Sequence, residues 1–222
     1  MLLIQQLAIG QNTFDANSTG ANNTAVGSAS LGANTTGASN VAVGALALDE
    51  STTGTENTAI GVNTLGHVTT GSYNTAVGKD AGRDHTTAVG LVAIGHSALR
   101  KNTTGATNTA IGRHALLLNT TGTQNVAVGS LALDANTTAS NNVAIGCGAL
   151  GANTTGEVNT AVGTASMVTN TTGFGNTALG KNSLYTNNGN NNTAVGHEAL
   201  ELNTSGANNV AVGRQALEAN TT

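Results

Sequence analysis

The sequence contains no proline, no tryptophan and a single cysteine, Cys147, and its 222 residues include only two tyrosines and two phenylalanines. Four aromatic side chains cannot furnish the cores of the one or two globular domains expected at this length, which excludes a compact aromatic-cored enzyme. One cysteine permits no internal disulfide. Charged residues make up only 8% of the chain, too few for ordinary disorder. The fold must therefore depend on how the residues repeat.

Charge and hydropathy exclude several partners. Seven Lys and Arg against eleven Asp and Glu give a net charge of −4 with no basic run, so nucleic acid is not an expected partner. The longest apolar runs are only a few residues, so membrane insertion is not expected either. Residues 1–10 have no charged segment and too short an apolar stretch for a secretory signal. We expect either that a signal has been removed or that the protein leaves the cell by another route.

A glycine that closes an Ala-aliphatic-Gly triplet recurs along the whole chain. These glycines stand at positions 10, 27, 44, 61, 78, 95, 112, 129, 146, 163, 180, 196 and 213, so eleven of the twelve intervals are 17 residues and one is 16. The unit reads x-x-small-Leu-x-x-Asn-Thr-Thr-Gly-x-x-Asn-(Thr/Val)-Ala-(Val/Ile)-Gly, and residues 96–112 are a clean copy. A short fixed period of this kind is typical of a solenoid, in which each unit buries its apolar side chains only against its neighbours.

The residue types of the unit favour strands over a helix. Two glycines per unit, Asn-Thr-Thr tracts and many β-branched residues all disfavour helix. Asn-Thr-Ala-Val-Gly, as at 23–27 and 74–78, predicts a short strand, and Asn-Thr-Thr-Gly predicts a turn whose glycine, such as Gly20, Gly37, Gly105, Gly122 or Gly156, takes positive φ. The prediction is an all-β parallel β-solenoid of about 13 coils of 17 residues, forming one repeat domain over residues 1–222.

Stacked coils turn each repeat position into a column of like residues. We predict that a leucine column and a Val/Ile column form the core. They comprise Leu31, Leu48, Leu65, Leu99, Leu116, Leu133 and Leu150, and Val26, Val43, Ile60, Val77, Ile111, Val128, Ile145 and Val162.

The asparagine that precedes each strand predicts a ladder in which each side chain bonds to the equivalent group one coil along. Its members are Asn23, Asn40, Asn57, Asn74, Asn108, Asn125, Asn142, Asn159, Asn176, Asn192 and Asn209.

The alanine in the middle of each strand is the expected contact with another chain. Two aliphatic residues provide little apolar area for a 17-residue coil, which indicates that a further face is buried, and alanine points opposite to the Val/Ile column. An outward stripe of alanine permits close approach of a second copy, so we predict a homo-oligomer, most plausibly a trimer. The candidate contacts are Ala25, Ala42, Ala59, Ala76, Ala110, Ala127, Ala144 and Ala161.

Two units depart from the pattern, and the ends lack caps. In residues 79–95 Gly82 replaces the core leucine and Leu91 replaces the strand-start asparagine, which indicates either neutral drift or a local kink or lateral contact. The 16-residue unit 181–196 is explained most simply by a deletion in its turn. The uncapped ends have two interpretations: the sequence is a piece of a longer fibre, or chains stack head to tail and cap one another. Joining Thr222 to Met1 would give a unit of 19 residues, close to the period, which makes end-to-end polymerisation a hypothesis.

No catalytic, cofactor or metal site is predicted. His96 and His114 fall in adjacent coils but lack a cysteine or carboxylate companion at matching phase, and no nucleophile elbow or phosphate loop occurs.

The Asn-Thr-Thr tripeptides, as at 34–36 and 119–121, have two interpretations. They are turn-formers whose hydroxyls bond local backbone, which we favour, or an outward Thr/Asn array that binds ice or glycan.

The strand motif Asn-(Thr/Val)-Ala-(Val/Ile)-Gly resembles the Ser-Val-Ala-Ile-Gly type of repeat in the heads of trimeric autotransporter adhesins. The longer unit, Ala-Leu-x-x-Asn-Thr-Thr-Gly-x-x-Asn-Thr-Ala-Val-Gly, is similar to repeats in bacteriophage tail-fibre-like proteins. The resemblance implies a left-handed parallel β-roll with three chains side by side, outside a cell, on its surface or on a virion. Together with the repeat it predicts a structural extracellular fibre or filament, not an enzyme, with itself as partner and adhesion to a cell-surface or glycan receptor as a further role.

Overall fold

The structure, a computed structural model, describes residues 5–222, so the expectations about residues 1–4, including the join from Thr222 to Met1, lie outside the described residues. The chain divides into two compact units, Met1–Asn108 and Thr109–Thr222. Residues 5–222 contain thirteen short β-strands and no helix, and hence no helix suited to crossing a membrane. The prediction of an all-β parallel solenoid is confirmed.

The first unit contains six strands, and each pairs in parallel with the next in the chain. They are β1 (Gln6–Ile9), β2 (Asn23–Val26), β3 (Val41–Val43), β4 (Thr58–Ile60), β5 (Thr75–Val77) and β6 (Val92–Ile94). Alanine lies opposite alanine throughout, as for Ala42 and Ala59. The divergent coil 79–95 keeps this register, since Ala93 of β6 lies opposite Ala76 of β5.

The second unit contains seven strands with the same parallel pairing. They are β7 (Thr109–Ile111), β8 (Val126–Val128), β9 (Val143–Ile145), β10 (Thr160–Val162), β11 (Thr177–Leu179), β12 (Thr193–Val195) and β13 (Val210–Val212). The short coil 181–196 keeps the strands in register, because Ala178 lies opposite Ala194. Its missing residue falls in the turn, where Asn187, Asn188 and Gly189 replace the Asn-Thr-Thr-Gly of the other coils.

Two kinds of glycine shape each coil, for different reasons. The strand-closing glycines have φ between 126° and 138°, a conformation that favours glycine. The turn glycines Gly20, Gly37, Gly122 and Gly156 do not have positive φ, so that prediction was wrong. They are required by close approach instead: a Cβ on Gly20 would lie 2.3 Å from the carbonyl oxygen of Gly37 in the next coil.

The leucine column confirms half of the predicted core. Its side chains are fully buried, and each leucine adopts a left-handed conformation, as Leu31 does at φ 49° and Leu116 at φ 51°. That conformation costs roughly 1–2 kcal/mol, and burying a leucine contributes about 1.5–3 kcal/mol in return. Gly82 takes the same conformation, and the side chain of Leu65 comes within 2.7 Å of where its Cβ would be. The buried column is Leu31, Leu48, Leu65, Leu99, Leu116, Leu133 and Leu150.

The strands face the opposite way from the prediction. In β2 to β13 the middle alanine points inward and is buried, and it packs in the core with the leucine column and with the small residue before each leucine. In β1 the equivalent Ala8 is exposed. The physical reason is space: a 17-residue coil that already contains a leucine leaves room for a methyl group on the facing strand but not for a branched side chain. The buried alanines are Ala25, Ala42, Ala59, Ala76, Ala110, Ala127, Ala144 and Ala161.

The Val/Ile column consequently points outward, and none of its predicted core members is buried. Ile60 is 41% exposed, and Ile111 is 37% exposed. The residue that opens each strand, a threonine or a valine, lies on the same outward face. The corrected column is Val26, Val43, Ile60, Val77, Ile111, Val128, Ile145 and Val162.

Candidate functional site

The strand-start asparagines form the predicted ladder, with a bonding pattern that uses the backbone of the next coil. The Oδ1 of Asn142 accepts the backbone N–H of Asn159 at 2.9 Å, and its Nδ2 donates to the carbonyl of Gly156 at 2.9 Å. In a few coils the amides also bond directly, as Asn176 Nδ2 does to Asn159 Oδ1 at 3.1 Å. Leu91 interrupts the series, although its backbone N–H still bonds to Asn74 Oδ1. Asn209 is half-buried, and the other predicted members are buried.

A second asparagine ladder, at the start of each Asn-Thr-Thr tripeptide, was missed at the sequence level. Asn136 Nδ2 donates to Asn119 Oδ1 at 2.8 Å and Asn153 Nδ2 to Asn136 Oδ1 at 3.1 Å, and each amide also donates to the carbonyl three residues on. These asparagines are buried. The signal was visible as an asparagine at a fixed repeat position, but Asn-Thr-Thr is also an ordinary turn sequence. Because these amides are buried and bonded, the folded chain does not offer them as N-glycosylation sites.

His85 occupies an asparagine position in this second ladder and reproduces its bonding. It is buried, with Nε2 2.9 Å from the carbonyl oxygen of Ala88 and Nδ1 3.3 Å from Asn102 Nδ2. A carbonyl only accepts, so Nε2 carries the proton and Nδ1 accepts from Asn102. Burial lowers the pKa of His85 to about 4, partly opposed by the bond to Ala88. The neutral ring thus serves as one donor and one acceptor, as an asparagine does.

The two threonines of the tripeptide have different roles. The first donates its hydroxyl to the backbone carbonyl of the equivalent threonine one coil on, as Thr35 does to Thr52 at 3.0 Å and Thr120 to Thr137 at 2.9 Å. The second is exposed, and within residues 5–222 its hydroxyl makes no hydrogen bond to protein. We call this second series the exposed threonine column. It comprises Thr19, Thr36, Thr53, Thr70, Thr87 and Thr104 in the first unit and Thr121, Thr138, Thr155 and Thr172 in the second.

The outward side of the strands is a regular surface of mostly β-branched side chains along the described coils. We call it the sheet face: the Thr/Val residue that opens each strand and the Val/Ile/Leu residue that closes it. Ile94 is 37% exposed and Leu179 47% exposed. Side chains on this face are β-branched with few exceptions, and neighbouring strands place like residues side by side, as Val128 beside Ile145. A contiguous apolar surface of this kind commonly marks an interaction site.

Within residues 5–222, three carboxyl groups come together near the end of the second unit. Glu198, Glu201 and Glu218 are half-buried and offer carboxylate oxygens within 4.8 Å of one another, and Glu198 also accepts a hydrogen bond from Gln215 at 3.0 Å. Acidic residues alone do not define a metal site. Burial raises the pKa of Asp49, helped by the nearby Glu50, and burial likewise raises the pKa of Asp134.

The arrangement is suited to presenting surfaces. It combines a narrow core, two internal ladders and two regular outward surfaces. No protein-family model, curated protein or solved structure matches the chain. The class of the protein is therefore defined by its fold, a parallel β-solenoid repeat protein with a 17-residue coil.

Proposed function

We propose that this protein is a structural β-solenoid that works by self-association, as part of an extracellular fibre or filament on a cell surface or a virion. The observation that carries the proposal is the sheet face. It repeats β-branched residues in nearly every coil, and those side chains lie outside the core. An exposed apolar surface lowers the solubility of a protein, so it is expected to bind a partner. Because this surface repeats along the chain, a second copy with the same repeat is the expected partner.

The interior supports a mechanical role. Most coils use two asparagines and one threonine to bond the next coil, in addition to the backbone pairing between strands. In the coil 79–95, His85 and Leu91 replace the two asparagines. Breaking one coil away from its neighbour therefore breaks a fixed set of bonds that recurs along each unit. This is the construction expected of a rigid spacer or scaffold, in which like elements stack with little variation.

The association surface differs from the one expected from the sequence. The alanines are buried and cannot form the axis of a trimer, so the contact between copies is the sheet face. A homotrimer remains the expected oligomer from the resemblance to trimeric adhesin heads. Adhesion to a cell-surface or glycan receptor is part of the proposal, with the receptor contacted by surfaces outside the sheet face.

Sedimentation velocity across the micromolar range tests the proposal. The 21.7 kDa chain should sediment as a dimer, trimer or larger assembly, and negative-stain images should show regular assemblies larger than one chain. A single species of monomer mass at all concentrations would refute self-association.

The exposed threonine column favours a second candidate function, binding of ice or glycan. Six coils of the first unit and four of the second place a threonine there, and within each unit these hydroxyl and methyl groups have the spacing of neighbouring strands, about 4.8 Å. Thermal hysteresis and a glycan array test this candidate. Replacing Thr138, Thr155 and Thr172 by alanine should then abolish binding without changing the circular dichroism spectrum, whereas an unchanged signal would refute it.

A further inference from the structure

Two strands, one in each unit, have an aromatic residue at one end and a lysine at the other. β5 lies between Tyr73 and Lys79, and β11 lies between Phe174 and Lys181. Tyr73 is 58% exposed and Phe174 is 49% exposed, and both lysines are exposed. The whole chain has only four Phe and Tyr residues and three lysines. Two of those four aromatic residues and two of the three lysines therefore flank these two strands.

The lysine and the ring do not meet within one chain. Six residue steps separate Tyr73 from Lys79 and seven separate Phe174 from Lys181, so an extended chain would place them roughly 20 Å apart, at opposite margins of the sheet face. Within residues 5–222 neither lysine contacts either ring. A cation and an aromatic face attract each other when they come within about 6 Å. Only a second copy of the chain can bring these groups together.

The margins of the sheet face also differ in charge. The position that follows each strand-closing glycine, which we call the basic edge, holds no acid. Its basic residues are Lys79, His96, Arg113, Lys181, His197 and Arg214, and they include every Lys and Arg of the second unit. Its one other ionisable residue is Cys147.

The two positions before each strand-start asparagine form the aromatic edge. They hold no cation, and their charged and aromatic members are Glu56, Tyr73, Glu157 and Phe174. The sheet face is therefore apolar in the middle, basic along one margin, and acidic and aromatic along the other.

We propose that a second copy of this chain packs on the sheet face with its strands stacked in the same direction, so that the basic edge of one copy lies against the aromatic edge of the next. Rotation about the stacking direction, in a dimer or a trimer, produces this contact. Lys79 then meets Tyr73 of the neighbouring copy, and Lys181 meets Phe174, each at the level of a single strand. Copies stacked in opposite directions would place basic edge against basic edge. The inference rests on the proposed self-association, and it adds which edges of the two copies meet and that their strands are stacked in the same direction.

The area that each unit offers approaches that of a standard protein interface. At about 4.8 Å between strands, the six strands of the first unit cover roughly 29 Å and the seven of the second roughly 34 Å. With its margins included the face is at most about 20 Å wide, so each unit offers up to roughly 600–700 Å², slightly less than the roughly 800 Å² per partner of a standard interface. The apolar middle with charged and aromatic margins also matches the usual anatomy of interfaces.

Thiol cross-linking tests the direction. In a Cys147→Ser background, Tyr73→Cys and Lys79→Cys are introduced in one chain and treated with a short bis-maleimide. We expect species of dimer mass whose linked peptides join residue 73 to residue 79. Links between 79 and 79 would overturn the proposal. A Thr121→Cys variant in the same background, on the exposed threonine column, should stay uncross-linked.

Charge exchange provides a second readout. Lys79→Glu with Lys181→Glu should weaken association at least tenfold, and adding Tyr73→Lys with Phe174→Lys should restore it through new ion pairs between copies. If the wild-type chain associates but neither pair of substitutions changes the dissociation constant, the inference is wrong and the proposed function survives. If the wild-type chain is monomeric throughout, the proposed function itself fails.

Discussion

At the scale of single residues, side-chain volume decides which side of each strand is inside. Side chains alternate in direction along a strand, so the sequence correctly indicates that the middle residue of each strand points opposite to its two neighbours. It does not indicate which side is buried when both sides are apolar. The larger Val and Ile would give more burial, but the leucine of the same coil already fills the interior, and alanine is what fits.

Exchanging the sizes of two adjacent residues in β8 tests this assignment. Ala127→Leu should lower the free energy of unfolding by about 1–3 kcal/mol or more, because it overpacks a filled interior. Val128→Ala, on the outward face, should cost less than about 1 kcal/mol. Urea unfolding at low protein concentration measures both, and a larger loss for Val128→Ala would reverse the assignment.

His85 should make stability depend on pH. Its pKa is about 4 in the folded chain, against about 6.5 when unfolded, so the unfolded chain binds the proton more tightly. Its stabilising contribution is present above pH 6.5 and is lost as pH falls towards 4, by up to about 3 kcal/mol.

The control for this effect is His85→Asn, which restores the usual ladder residue. It should remove the change between pH 6.5 and 4 while leaving stability at pH 7.5 within about 1 kcal/mol of the wild type. Urea unfolding at each pH gives the free energy of unfolding of both proteins. If it depends on pH in the same way for the wild type and the variant, the buried ring is not the titrating group.

At the scale of elements, the coil is held by polar ladders as much as by its core. The strands, their spacing, the leucine column and the first ladder were all predictable, because each depends on residue type at a fixed position. The second ladder and the separate roles of the two threonines were not, since Asn-Thr-Thr reads equally well as a solvated turn. A ladder differs from a solvated turn in which side chains of the turn point inward. The path of the backbone determines that direction, and the sequence alone does not give the path.

Removing one ladder amide should lower the free energy of unfolding more than truncating an exposed turn side chain does. Asn142→Ala leaves the N–H of Asn159 and the carbonyl of Gly156 without their partner, which should destabilise the second unit by about 2–4 kcal/mol. Hydrogen exchange should show faster exchange at the Asn159 amide. Thr138→Ala, an exposed neighbour in the same coil, should leave both quantities nearly unchanged, and equal losses in the two variants would contradict the ladder.

At the scale of the whole molecule, the scarcity of aromatic and charged residues follows from the repeat. A narrow coil has no room for rings in its core, and two of the four aromatic residues lie exposed beside the sheet face, where they are available to a neighbouring copy. The absence of proline is consistent with a chain that uses most of its N–H groups for bonds between coils. Two of the four aromatic residues and two of the three lysines thus lie where one copy would meet another.

The mass of the protein in solution tests the central claim most directly, that the outward sheet face joins copies of the chain. Sedimentation equilibrium should give two or three times the chain mass for the wild type. Ile111→Glu with Ile145→Glu, which places charges on the outward face without touching the core, should give a folded monomer. A wild-type monomer, or a double variant that associates as the wild type does, would contradict the account.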